Sequence, residues 1–471
     1  MWVQTPYFFI LGSKMKNKLH YSFLLGLTLI GSLLLLSLVP KFSIGSLTFK
    51  KIDILADVRP DPLPDTLKDT VITAGIEDSI VARQDSVVLE MQESCRPGLT
   101  CIEDYSRDST ALKKFLDALI TTQSNKRNLR IAFYGDSFIE GDVFCGSFRD
   151  SLQSVFGGEG VGYVPITSDV AGFRNTIKHK FANWKTYSLI NKKDSAIEIG
   201  PAGYSFVPLE GNQVEYKPSR QRYLRRFKNI SLYYRNLKQG TLHLTVDTTR
   251  SSVPLAVTSE IKEWKHRGKN IKSVKFEFNP YDSVFVYGAS FESGEGIYVD
   301  NFSLRGNSGM NLAGISDKMY KQFNRYRNYK LIILQFGLNL VVEDSLNYKA
   351  YSKRMVNVIV RLKKNFPDAS FLLLSVSDRS SKSSGDFKTM NAIPAMRNAQ
   401  RQIAKKAGIA FWDMFEAMGG ENSMVKFSQA KPALAAKDYT HLTFKGGRVL
   451  SGRLVKSLMF EKEKHEKKKK H

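Results

Sequence analysis

The sequence predicts an α/β protein: a doubly wound parallel sheet with an inserted all-β sandwich domain, preceded by an N-terminal transmembrane helix. Three observations predict it. Short apolar runs at 131–134, 331–336 and 370–376 are each followed by stretches with apolar residues on one helical face, the rhythm of a parallel sheet covered on both sides. Between about 163 and 296 that rhythm stops and apolar residues alternate at period two, as in Ile230-Leu232-Tyr234, Leu242-Leu244-Val246 and Val274-Phe276-Phe278. Residues 21–39, from Tyr21 to Val39, carry no charge and match the ~20 residues that span a bilayer core.

In chain order, 1–45 reads as a signal-anchor. No small-residue cleavage site or lipobox cysteine follows Val39. Residues 46–105 are polar and contain RPDPLPDTLKDT, the composition of a spacer. The α/β domain opens over 106–162, with Leu112, Phe115, Leu116 and Leu119 on one helix face before the first strand. After Ser137, Phe144, Phe148 and Leu152 mark a second helix that stops at Gly157-Gly158. The inserted sandwich spans 163–296. The domain then resumes over 297–460: a strand at 297–300, one at 331–336, a helix with Met355, Val358, Ile359 and Leu362 inward, a strand at 370–376, a helix near 394–407, a strand at 409–413, and a last helix carrying Leu450, Leu454 and Leu458. Residues 461–471 form a basic tail, read as a solvated helix end.

The net charge of +25 suits an acidic partner such as anionic lipid or an acidic glycan. Nucleic acid is not expected, since the chain has no Cys/His finger, RNP-like motif or Walker loop. No cofactor or metal is implied, because no His/Cys/carboxylate cluster has ligand spacing. Three cysteines are too few for a disulfide framework, but Cys95 and Cys101 can close a small loop in an oxidising compartment. Cys145 reads as a small core residue.

Catalytic groups in open α/β sheets gather at the C-terminal ends of strands. The first strand ends on Gly135-Asp136-Ser137, the second on a loop from Asn301 through Gly306 to Gly309, and the third on Gly337-Leu338-Asn339. Asp438-Tyr439-Thr440-His441 precedes the final helix. Serine, glycine, asparagine and histidine, in this order and at these places, resemble the signature of the SGNH/GDSL hydrolase family, whose fold is a flavodoxin-like three-layer sandwich. The resemblance implies Ser137 as nucleophile, His441 as general base and Asp438 as the carboxylate that orients the imidazole. It implies an oxyanion hole from the N–H groups of Ser137 and Gly306 and the side-chain amide of Asn339. Gly309 is the alternative to Gly306; choosing Gly306 leaves Asn301 where family members often carry a strand-end asparagine. Leu340 departs from the family's GxND, leaving open what supports Asn339. The physical logic is local: an Asp three residues before a His puts both on one turn, so the carboxylate holds Nδ1–H while Nε2 faces the serine.

GDSFIEGD, FRDSLQSVFGGEGVGY, the β insertion and WDMFEAMGG together look like the peptidoglycan O-acetylesterase branch, whose relatives include polysaccharide O-acetyltransferases. Phe138 departs from the polar residue many members carry after the serine. The resemblance implies a membrane-tethered, extracytoplasmic serine esterase that removes O-acetyl groups from a cell-wall or exopolysaccharide glycan through an acyl-serine intermediate. Its partners would be the acylated glycan, the membrane and a membrane acyl-transfer protein. A glycan O-acetyltransferase with the same triad is one alternative, and a non-catalytic glycan-binding or assembly scaffold is another. Glu140 and Asp142 read as first-turn helix-dipole residues, His179 and His243 as non-ligands, and Asp413 as structural. Trp184, Tyr187, Tyr204 and Tyr223 are candidates for a sugar-stacking platform, weighed against ordinary packing.

Overall fold

A computed structural model describes residues 95–470, apart from 126, 192–196, 281–282, 344 and 384, together with Thr28 and two short strands, β1 (Phe42–Ile44) and β2 (Leu47–Phe49), which pair antiparallel. Apart from Thr28, the expected membrane span at 21–39 therefore lies outside the described residues, as does most of the spacer. Among the described residues no helix is long and apolar enough to cross a membrane.

The chain enters the α/β domain earlier than expected. Cys95 and Cys101 are disulfide-bonded. Directly after them β3 (Ile102–Asp104) joins the edge of the main sheet, so the spacer does not extend to 105. Then come α1 (Lys113–Asn125), β4 (Leu129–Gly135), α2 (Cys145–Phe156) and β5 (Glu159–Val164). Strands β6 (Ile177–Ser188), β7 (Tyr204–Pro218), β8 (Phe227–Asn236), β9 (Gly240–Val246), β10 (Thr249–Leu255), β11 (Thr258–Ile271), β12 (Val274–Phe278) and β13 (Val284–Ser293) follow without a helix. The α/β rhythm resumes with β14 (Ile297–Ser303), α3 (Asp317–Arg327), β15 (Tyr329–Gln335), α4 (Lys349–Asn365) and β16 (Ser370–Leu374). A hairpin of β17 (Ser380–Ser383) and β18 (Asp386–Thr389) precedes α5 (Ala392–Ala407), β19 (Ala410–Trp412), α6 (Met414–Met418), α7 (Ser423–Gln429) and α8 (Phe444–Lys470). The basic tail continues α8 as helix to Lys470.

The main sheet runs β14-β4-β15-β16-β19-β3, parallel except for β3. Its parallel strands therefore follow the flavodoxin-like order, and the reversal of winding falls between β14 and β15, on either side of β4. That order brings the C-terminal ends of the first three strands together at Ser137. The strands are buried on both faces, β15 at every residue but Lys330 and β16 throughout, which explains why they appear in the sequence as continuous apolar runs rather than alternations.

Strands from β5 to β13 form one nine-stranded sheet, antiparallel throughout and wrapped on its own core of Val214, Leu232, Leu244, Phe276 and Val286. The strands expected to form a sandwich are joined in one hydrogen-bonded sheet. The reason is the length of β7: Phe206 near its start pairs with Val286 of β13, while Val214 to Tyr216 pair with β12. The expected start at 163 also moves, since β5 begins at Glu159 and pairs with β13.

A buried charge cluster ties the two sheets. Arg327 of α3 donates to both Asp300 carboxylate oxygens, to Tyr233 Oη and to Ser290 Oγ, and pairs with Glu292 at 2.7 Å. Asp300 also accepts the Tyr163 N–H and the Tyr329 hydroxyl. Main-sheet strands β14 and β15 are thereby bonded to β5, β8 and β13. Burial works to raise the Glu292 carboxyl, but Arg327 and Arg130 outweigh it and hold the group well below its ordinary value.

Candidate active site

Ser137 follows β4 at a sharp turn. The Glu140 N–H donates back to its carbonyl, and a short 3-10 turn leads into α2. His441 lies on the loop before α8. That loop is held from within: Asp438 Oδ1 accepts the N–H groups of Thr440 and His441, and the Ala436 N–H bonds to His441 O. It is also held from outside, where Phe387 of the β17–β18 hairpin stacks on Tyr439 at 3.9 Å and the Ser380 N–H donates to Tyr439 O. Close approach of α8 to the serine turn completes the frame. A Cβ on Gly447 would lie 1.9 Å from Val143 O, so only glycine lets the helix reach that backbone.

The result is a connected chain of three side chains. Ser137 Oγ is 3.1 Å from His441 Nε2, and His441 Nδ1 is 2.8 Å from Asp438 Oδ2. Partial burial acts to raise the Asp438 carboxyl. The His441 N–H, its imidazole and the Thr440 N–H together outweigh this and keep the group below its ordinary value. Asp438 therefore remains a carboxylate near neutral pH, where it favours the tautomer with a proton on Nδ1 and leaves Nε2 free to accept. The side chains of Asp438 and His441 are 50% and 40% exposed, so water reaches this end of the site.

Of the expected oxyanion donors, the Ser137 and Gly306 N–H groups have no acceptor among the described residues. Gly306 is exposed with φ +76°. Gly309 is buried and its N–H is already bonded to Asn307 Oδ1. Between the two candidates, only Gly306 keeps an available N–H. Asn339 is placed at the site by Gly337, whose φ of +115° and close neighbour Gln400 exclude a side chain. At rest, however, its amide is engaged, donating to Asp136 Oδ2 at 3.2 Å and to Asn307 O at 3.1 Å. One of these long bonds must yield for Asn339 to serve an oxyanion.

Asp136 is the site residue that sequence reasoning missed, although it adjoins the serine in the same motif. It supplies the support that Leu340 does not: its Oδ1 accepts the Phe138 N–H and its Oδ2 the Asn339 amide. Burial pushes its carboxyl up to about 7, against the opposing pull of the Phe138 N–H and His441. The folded chain thus holds this proton more tightly than the unfolded chain. The stabilisation is complete below the ordinary carboxylate range and is lost as pH rises through about 7. Asp136→Asn removes this titration. Between about pH 4 and about pH 8 the parent is expected to lose a few kcal/mol more stability than the variant. Parallel melting-temperature profiles for the two proteins would contradict this assignment.

Asn301 donates to Ile139 O and to Asp142 Oδ1, stitching the end of β14 to the serine turn. Asp142 is corrected from a first-turn helix-dipole residue to the centre of a buried cluster. It is bonded to Arg149, Arg174 and Thr176, and these arginines, against the effect of burial, keep it ionised. Glu140 pairs with Arg305 on the rim. Asp413 caps α6 and pairs with Arg397 and Arg401, as expected of a structural residue. Cys145 is buried and free, with its thiol pushed well up by burial. His179 stacks on Tyr216, and His243 bonds Ser252. The four aromatic candidates do not make one platform. Trp184 packs edge-on against Phe278, Tyr187 packs on the main core and Tyr223 lies under Arg222. Tyr204 alone of the four lines the cavity of about 340 Å³ beside Glu140, Asn301 and Arg305.

No protein-family model matches the sequence, and no curated protein matches it. Among solved structures, a peptidoglycan O-acetylesterase superposes with a TM-score of 0.64 at 19% identity, covering 77% of this chain and 99% of that chain. A family two carbohydrate esterase from Cellvibrio japonicus aligns at a TM-score of 0.25 and 7% identity over 64% of this chain and 98% of that one. An acetyl xylan esterase gives 0.26 and 16% over 34% and 80%. The first likeness is one of fold, and it accords with the expected α/β architecture. The other two scores are too low to bear on it.

Proposed function

We propose that this chain is a serine esterase of SGNH type that removes an acyl group, such as acetyl, from a glycan hydroxyl. The reading rests on one observation above all: Ser137 Oγ, His441 and Asp438 are connected at 3.1 and 2.8 Å at the switch point of the parallel sheet. In the first half-reaction His441 Nε2 takes the Oγ proton as Oγ bonds to the ester carbonyl carbon. The Ser137 and Gly306 N–H groups, with Asn339 once released, stabilise the oxyanion. His441 then passes the proton to the departing sugar oxygen, leaving acyl-Ser137. Water activated by the same imidazole releases the acid and restores the serine.

The cavity beside Glu140 supports a sugar as the alcohol portion. Its walls carry hydroxyls from Thr167, Ser168, Thr186 and Ser188 and the Tyr204 ring, groups that hydrogen-bond or stack on a pyranose. The exposure of Asp438 and His441 favours hydrolysis over transfer, since transfer requires that water be kept from the acyl-enzyme. A membrane-tethered, extracytoplasmic location accompanies this reading, supported by the uncharged run at 21–39 and by the Cys95–Cys101 disulfide.

Incubating the purified chain with an acetylated glycan, with and without a deacetylated sugar acceptor, tests the assignment. Acetate release at a rate unchanged by the acceptor is the expected result. Acetyl transfer to the acceptor in place of acetate release would make the chain a transferase, and neither product would remove the reading.

A further inference from the structure

Outside the site, the nine-stranded sheet carries a groove of about 560 Å³ with five exposed cations on its walls: Lys178, Lys217, Arg220, Arg225 and Lys272. No acidic residue lines it. Only Lys217 has an ion-pair partner among the described residues, Glu215 at 2.9 Å. A second cavity of about 450 Å³ continues the groove, sharing Lys178 and Arg220 and adding Lys180.

Two features concern the backbone that carries these charges. Lys178 of β6 and Lys217 of β7 are direct cross-strand partners, a like-charge pairing that costs stability. The loop after β7, SRQRYLRR, has four arginines in eight residues yet is pinned. The Ser219 N–H bonds to Leu224 O, Ser219 Oγ to Asn175 O, and the Gly160 N–H to Tyr223 O, while Leu224 is buried. Violations of local pairing rules on a rigid element mark functional positions.

We infer that this groove is a binding site for a polyanionic polysaccharide, one with carboxylate or phosphate groups spaced along the chain. Guanidinium and ammonium groups match both anions. The first cavity is lined by no aromatic ring and no large aliphatic side chain, and in its continuation Ile177 and His179 are buried. A nucleic acid site would use rings on which bases stack, and a membrane-binding face would use apolar side chains for insertion. A ligand with charge but no apolar face fits what is present. Binding here does not depend on the serine chemistry.

The full chain, titrated with polygalacturonate, tests this against neutral dextran, vesicles containing anionic lipid and single-stranded DNA. Polygalacturonate is expected to bind in a salt-sensitive way, and the Arg220→Glu/Arg225→Glu double variant to bind at least about tenfold more weakly. Ser137→Ala is expected to bind as the parent does, which keeps this result separate from the esterase assignment. Lys178→Thr serves as a second variant because it relieves the like-charge pair: its melting temperature should rise while its affinity falls. Equal binding of dextran, tighter binding of vesicles or DNA, or affinities unchanged in both variants would overturn the proposal.

Discussion

Replacing Ser137 by alanine is expected to lower kcat for ester hydrolysis by about 10⁴–10⁶-fold with little change in KM, and His441→Ala to cost a similar amount. The two effects should not add. Oγ loses its proton only to Nε2, 3.1 Å away, so removing either partner removes the same step. Asp438→Asn is expected to fall short of them. It keeps the turn but presents an amide to Nδ1, which favours the wrong tautomer. Steady-state kinetics on a chromogenic acetyl ester for the three single variants and the Ser137→Ala/His441→Ala double variant checks this. A double variant far worse than either single one would mean that the residues act independently.

The second large effect concerns stability. Arg327→Met leaves Asp300 and Glu292, both buried, without their shared cation. The loss should be about 3–5 kcal/mol, since one partner of a buried pair is removed while the other charges stay. For a domain of this size that corresponds to a fall in melting temperature on the order of 10 °C. Because Asp300 also holds the Tyr163 N–H of β5, the variant should loosen the contact between the two sheets beside the cavity. Adding Asp300→Asn to Arg327→Met should recover part of the loss, as it removes one stranded charge. Thermal melts of the parent, single and double variants decide the matter. An unchanged melting temperature in Arg327→Met would show that the cluster does not hold the sheets together.

The parts of this molecule that were legible in the sequence are those with a periodic or positional signal. Fully buried parallel strands such as β15 and β16 appear as unbroken apolar runs. Turns at strand ends carry residues whose type alone is informative: Ser137, Asn339, and the Asp438–His441 pair on one turn. What escaped has a physical reason in each case. Strand β3 has three residues, too few for any period to show, and it follows a disulfide loop. Helix α3, covering 317–327, is so polar that only its buried face of Met319, Tyr320 and Phe323 identifies it, and that requires knowing what it packs against. Asp142 looks like a first-turn acid because its partners, Arg149 and Arg174, lie 7 and 32 residues away and on different elements. Asp136 was overlooked for the opposite reason. It stands beside the nucleophile, but its bond to Asn339 spans 203 residues and exists only once β4 and β15 are neighbours.

On the proposed function, Ser137 is a nucleophile activated by His441. Labelling the chain with a fluorophosphonate probe and locating the adduct by mass spectrometry tests it most directly. One adduct per chain is expected, on Ser137, absent from Ser137→Ala and strongly reduced in His441→Ala. Failure of the parent to label, or equal labelling of Ser137→Ala, would contradict it.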